Sequence, residues 1–429
     1  MSRRERFAPR ALCVAVLALA AVAGGAGAQD VMIRHAKVHT AGARGTLDDA
    51  DVLVQGGTIR AIGRSLANPA RVPVYEAKGR ALTPGLFGGF SEIGLEEVQS
   101  EKSTVDSTIS LPGASGPQVR PEFDVTVAYN PESMLLPVAR LGGITFTALQ
   151  AENEGSLISG QGAVVRLDGD PAAAMLGAKM LFVNLGSNAD GLSGGSRAGQ
   201  YMLLEQAIRE ARGGAPYDSP HALLTPAGRE VLAHYLAGGR IVFAVERASD
   251  IRQLLAFCRA HAIRPILAGA SEGWKVAGAL KAADATVFID ALQDLPSSFD
   301  QLGSRLDNAA LLAKAGVKVA LLAPDPTANA RKIRQAAGNA AANGRPWADA
   351  LAAITRVPAQ ALGVGDRVGR IEVGLDADLV LWDGDPLEVT TLADAVWLRG
   401  RASPMRSRQT QLRDRYFQPA SGLPRAYQH

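Results

Sequence analysis

Three carboxylates stand where apolar, strand-like runs end. Glu92 follows the run 86–91 and lies two residues beyond Phe90, so on an extended chain the two share a face. Glu246 follows the run 240–245, and Asp325 sits inside Pro324-Asp325-Pro326 just after the run 317–322. If these runs are neighbouring parallel strands, their ends gather on one rim. Three carboxylates there can hold a hard cation such as Ca²⁺ or Mg²⁺, or act as general acid and base without metal. The competing reading is structural: Glu246 pairs with Arg247 or another base, and Asp325 caps its loop. Phe90, Ser91, Arg247, Gly269 and Glu272 fall beside the same strand ends and are the expected pocket lining.

Nitrogen and sulfur ligands do not join this set. His35 and His39 lie in an N-terminal β-rich segment, His221, His234 and His261 in helical or loop patterns, and His429 in the tail. Cys258 sits in the helical pattern 251–261 and reads as a small buried hydrophobe. Cys13, the other cysteine, lies in an apolar N-terminal run.

The elements that must position the carboxylates alternate. From residue 82, β-rich apolar runs at 143–149, 178–183, 240–245, 265–267, 285–289 and 317–322 are separated by helical patterns. Buried runs alternating with helices predict parallel strands joined by right-handed crossovers. Residues 52–63 instead alternate apolar and polar around Gly56-Gly57, a hairpin signal, and a β pattern returns at 369–386. Two polar clusters, 155–162 and 191–199, supply glycines for turns or for pocket walls, and neither follows a nucleotide-binding pattern.

Residues 1–28 read as a secretory signal: Arg3, Arg4, Arg6 and Arg10, an apolar run from Ala11 to Val22, and Ala26-Gly27-Ala28 as the cleavage site. The run is too short to span a membrane. Ser2-Arg3-Arg4 leaves both the general secretory and the twin-arginine routes open. Cleavage near Ala28 implies a periplasmic or secreted protein whose one remaining cysteine forbids an internal disulfide. It also lowers the basic residues from 45 to 41 and the acidic from 42 to 41. A neutral chain has no long-range field to recruit nucleic acid or anionic lipid.

Pro84-Gly85-Leu86-Phe87-Gly88-Gly89-Phe90-Ser91-Glu92-Ile93-Gly94-Leu95 resembles the first barrel strand of the metal-dependent amidohydrolases, usually Pro-Gly-Leu-Ile-Asp-x-His-x-His-x-Gly-Leu. The tail Gly369-Arg370-Ile371-Glu372-Val373-Gly374-Leu375-Asp376-Ala377-Asp378-Leu379 resembles the run by which that family leaves its barrel, and 355–363 resembles its last barrel helix. The likeness, imidazolonepropionase-like in character, spans most of 30–402 and is weakest over 96–121, read as a long loop over the barrel mouth. It implies an α/β fold, a (β/α)₈ TIM-like barrel with a small β-sandwich built from both ends of the mature chain. The implied parts are a signal peptide at 1–28, a composite sandwich of 30–81 plus 365–402, a barrel at 82–364 and a tail at 403–429.

The family's metal ligands have no counterparts here. Phe90 and Glu92 occupy the two histidine positions of strand 1, Ala244 that of strand 5, Gly269 that of strand 6, and Pro324 that of the aspartate after strand 8. Lys179 lies near strand 4, where anchoring on Gly186 puts Phe182 at the lysine position. The resemblance therefore implies a hydrolase of amide-like carbon–nitrogen bonds with an altered metal site, the family's zinc lacking ligands and no cofactor expected. The alternative is an inactive homologue that binds an amide-like small molecule or pairs with a metal-bearing relative, with neither nucleic acid nor a membrane span involved.

Overall fold

The computed structural model describes residues 30–417, apart from 69, 112–118, 154, 173 and 215–220. The signal-like segment and Cys13 lie outside the described residues, as does the end of the tail. The tail's Arg408–Tyr416 is a helix, opened by a reciprocal cap between Ser407 and Thr410.

Both ends of the chain meet in one eight-stranded sheet. Val31–His39 pairs antiparallel with Thr46–Gln55, which turns through Gly56-Gly57 into Thr58–Gly63. On its other side Val31–His39 runs parallel to Val74–Glu76 and Ala81–Pro84. Ala81–Pro84 then pairs with Leu379–Trp382, and Ala393–Leu398 and Arg401–Ala402 continue outward. Ile33, Val38, Val52, Ile59, Leu82, Leu379, Leu381 and Trp397 form its core, so neither terminal segment buries an apolar face without the other.

The intervening chain carries nine strand segments, two of them the halves of one strand, around a second interior. Leu86–Ser91 runs parallel to Ile144–Leu149. Met180–Asn184, Arg240–Val245, Pro265–Gly269, Thr286–Asp290 and Lys318–Leu322 are parallel in succession. The third strand departs from the all-parallel expectation. Its halves, Ile158–Gly162 and Val164–Arg166, run antiparallel to Met180–Asn184 and Ile144–Leu149 respectively. The loop 150–157 returns the chain as a hairpin where a crossover helix was expected.

Hydrogen-bonded ladders divide these strands into a six-stranded and a three-stranded sheet. One seam is bridged at Ala163, whose carbonyl accepts from Leu149 N at 2.9 Å. At the other, between the first and last strands, Phe87 N donates to Ile354 O at 2.9 Å and Leu321 N to Ala353 O at 3.0 Å. The segment 353–354 fills that gap.

Every strand nevertheless contributes to one interior: Phe87 and Phe90, Phe146, Val164, Phe182, Val242, Ile266, Phe288 and Ala320. Ala359 in helix Arg356–Ala361, with Leu362, Val364 and Val368, closes its floor. Buried Arg166 ties the third strand to the terminal sheet, its Nε donating to Asp378 at 2.9 Å and its Nη2 to Asp376. Among the described residues, no helix is long and apolar enough to cross a membrane.

Candidate functional site at the barrel mouth

The first strand sets the geometry. Gly89 has φ +93, and the register shifts between Phe87 and Phe90, so both rings enter the interior although three residues separate them. A left-handed residue at this kink favours glycine. Phe90, 5% exposed, stacks tilted on Phe288 at 4.8 Å between centroids and edge-on against Phe182 at 5.6 Å. Phe87 adds contacts to Phe146 at 5.4 Å and Phe288 at 6.0 Å. Phe90 thus belongs to the packed interior, and the five rings tile it.

These rings decide whether the family's metal fits. Phe90 and Phe182, aligned with two ligand positions on separate strands, are in contact, and neither carries a lone pair for a divalent ion. Ala244 and Gly269 offer no side-chain donor either. Among the described residues no three His, Cys, Asp or Glu are arranged to hold a metal. The donor set does not fit the metal, and an aromatic core takes its place.

Above the rings lies an acidic group. Glu92, 8% exposed, sits directly beyond the first strand, its backbone N–H bonded to Thr327 Oγ1 at 2.9 Å. One turn later, Glu96 N donates to Glu92 O at 3.1 Å, which brings the two carboxyl groups into contact. Burial pushes the Glu92 carboxyl above the usual carboxylate range; Ser107 and Glu152 oppose this, and the charge of Glu96 adds to it. Burial also raises Glu96, the hydrogen bond from Glu92 opposes that, and the charges of Asp325 and Glu152 reinforce it. Glu96 Oε2 is buried and has no hydrogen-bond partner. Two like carboxyls held together out of water resist ionising at the same time.

Asp325 reaches this group only from its edge. It is exposed and adopts φ +48, and its side chain accepts from Ala328 N at 3.2 Å and Asn329 Nδ2 at 2.8 Å. It caps the short helix Pro326–Asn329.

Glu246 belongs to a separate network. Its Oε2 accepts from Ser271 Oγ at 2.6 Å and Ser271 N at 2.9 Å, and its Oε1 from Gln301 Nε2 at 3.2 Å. Burial raises its pKa, and these hydrogen bonds work against the shift. A Cβ on Gly269, whose φ is +93, would lie 2.5 Å from Glu246 Oε1, so the absent side chain there makes room for this carboxylate.

Arg247 is not the partner of Glu246. It reaches Asp250 at 3.6 Å and Asp300 at 4.0 Å, both also held by Arg197. Glu272 accepts from Ala248 N at 3.0 Å and so caps helix Ala248–His261. Ser91 is buried between the first two strands, its Oγ 2.7 Å from Thr147 Oγ1.

The histidines stay apart: His35 bonds Glu76, His39 bonds Thr46 and packs on Trp347, and His261 bonds Glu205. Burial pushes the Cys258 thiol up to about 12, which leaves it an inert core group. Glu96, Glu152 and Ser107 are not evident as site residues from the sequence. The available signal was the spacing Glu92 to Glu96, one turn at the very start of the segment taken as a loop.

A model described as the amidohydrolase family matches residues 223–406. The amidohydrolase tasK of Hapsidospora irregularis is 26% identical over 403 aligned residues, covering 82% of this chain and 39% of that protein. The imidazolonepropionase of Stenotrophomonas maltophilia is 51% identical over 37 residues, 9% of each chain. The crystal structure of an amidohydrolase from Thermotoga maritima superposes with a TM-score of 0.77 at 21% identity, covering 88% of this chain and all of that one. The chain belongs to the amidohydrolase superfamily. Its fold is the amidohydrolase fold, although its ladders do not close the barrel. The chain spans less than half the length of these curated relatives.

Proposed function

We propose that this amidohydrolase-fold protein hydrolyses an amide-like carbon–nitrogen bond without metal, using the Glu92–Glu96 pair as acid and base. The observation that carries the reading is a pair of buried, adjoining carboxyls, each raised above the usual carboxylate range by burial, at the C-terminal rim of the strands, where this fold concentrates chemistry. A carboxyl held neutral can donate a proton, and its ionised neighbour can accept one.

Glu96 takes a proton from water as the oxygen attacks the amide carbon, and Glu92 gives its proton to the carbonyl oxygen. The tetrahedral diol then collapses: the nitrogen leaves with the proton held by Glu96, and a diol hydroxyl returns its proton to Glu92. The products are a carboxylic acid and an amine, and the pair is restored. Asp325 and Glu246 support the rim and take no part in the transfer.

The test is turnover of N-acyl amino acids, cyclic amides and dipeptides in the presence of a chelator. Activity that survives chelation and falls by roughly 10²–10⁴-fold in Glu92→Gln supports the proposal. Activity lost on chelation and restored by zinc refutes it.

The aromatic filling favours a second reading, an inactive homologue serving as a ligand-binding subunit or pairing with a metal-bearing relative. Absence of turnover on all three substrate classes, together with a defined complex with such a relative, would select it. The basic start and apolar run of residues 1–28 support an exported protein in either case, and N-terminal sequencing of the mature chain tests the cleavage near Ala28.

A further inference from the structure

The opposite face of the barrel holds a cavity of about 730 Å³. Arg240, Arg264, Thr286 and Lys318, at or beside the N-terminal ends of strands five to eight, line it, together with Arg345 and Arg356. Among the described residues Asp284 and Asp349 are the only acidic ones in the lining; Asp284 is engaged by Lys318 at 2.7 Å, and Asp349 lends its charge to Arg345 without a hydrogen bond. The Arg240 and Arg264 side chains have no hydrogen bond or ion pair with any described residue. The mature chain is close to neutral, so this excess of positive charge is local.

Arg345 is the unusual member. It is 6% exposed, and its Nη2 donates to Val319 O at 3.1 Å, yet Nε and Nη1 have no partner. A buried guanidinium with unused donors is costly unless an anion completes it. Gly363 leaves the space that Arg240 occupies, since a Cβ there would lie 1.9 Å from Arg240 Nη2. The cavity has the size of a small-molecule site.

We propose that this N-terminal-face cavity binds a small molecule bearing carboxylate or phosphate oxygens, held by Arg240, Arg264 and Arg345. Guanidinium groups match both oxyanions in planar, two-point contacts. The face is usually devoted to stability in this fold, so the site is independent of any chemistry at the mouth.

The test uses the full mature chain, titrated calorimetrically with sodium phosphate and, separately, sodium succinate, against sodium chloride at matched ionic strength. Saturable one-to-one binding of either anion, absent with chloride, is expected, and the tighter of the two identifies the headgroup. The double variant Arg240→Gln/Arg264→Gln should weaken binding by roughly tenfold or more, each lost contact being charge-assisted. Its melting temperature in chloride should change little, because neither side chain is hydrogen-bonded to a described residue and the charge of Arg264 acts only weakly on exposed Asp284. No saturable binding of either anion, an equal response to chloride, or unchanged affinity in the double variant would overturn the proposal.

Discussion

Replacing Phe90 with alanine probes the aromatic interior directly. The ring is 5% exposed and meets Phe87, Phe182 and Phe288 at centroid distances of 6.2, 5.6 and 4.8 Å. Removing a buried phenyl costs about 3–5 kcal/mol, because the lost transfer free energy is compounded by a cavity that rigid neighbours cannot fill. Its aromatic contacts, each of order 0.5–1.5 kcal/mol beyond area, place the site toward the upper half of that range, at about 4 kcal/mol. Phe90→Leu keeps most of the volume and should cost about 1–1.5 kcal/mol.

The assay is equilibrium unfolding in urea, read as a fall in midpoint at unchanged slope. Phe90→His restores one imidazole but leaves Phe182, Ala244 and Gly269 in place, so zinc should not raise its midpoint. A cost below about 1 kcal/mol for Phe90→Ala would mean that the ring is not packed as described. Zinc stabilisation of Phe90→His would mean that a ligand set persists.

Two further outcomes follow from the buried charges. The folded-state values of Glu92 and Glu96 lie above the ordinary 4.5, so beyond that pH the folded protein holds more protons than the unfolded chain. The stability this pair contributes is complete below about pH 4.5 and is lost as pH rises through the folded-state values; Glu92→Gln should flatten that decline in pH-dependent unfolding, and an unaltered slope would count against these raised values. Arg166→Met leaves buried Asp378 without its cation, while Arg367 still reaches Asp376 at 3.0 Å, and should cost about 3–5 kcal/mol in denaturant unfolding, whereas an exposed pair would cost under about 1 kcal/mol.

Local patterns in the sequence foretold much of this architecture. The Gly56-Gly57 hairpin and the apolar runs from 240 to 322 are signals carried by a few adjacent residues, and each became strand, whereas the returning β pattern at 369–386 became strand only over Leu379–Trp382. The reversed third strand was not legible: residues 155–162 read as a polar, glycine-rich cluster for a turn or pocket wall, yet Ile158–Gly162 is a buried strand. The ligand positions could be placed by motif, but what replaced the metal depends on contacts between distant residues. Phe90 and Phe182 are separated by some 90 positions, and only the closed interior brings their rings together. Glu246 likewise gave no sign that Ser271 and Gln301, rather than Arg247, would hold it. The parity that put Glu92 at the rim was readable; its pairing with Glu96 required the turn that follows the strand.

The claim on which the account rests is that an aromatic core has replaced the metal centre. Elemental analysis of the purified mature protein, after exhaustive dialysis without chelator, tests it most directly. Far less than one equivalent of zinc, iron or manganese per chain is expected, with an unfolding midpoint that chelators leave unchanged. Stoichiometric, tightly held metal whose removal lowers that midpoint would contradict it.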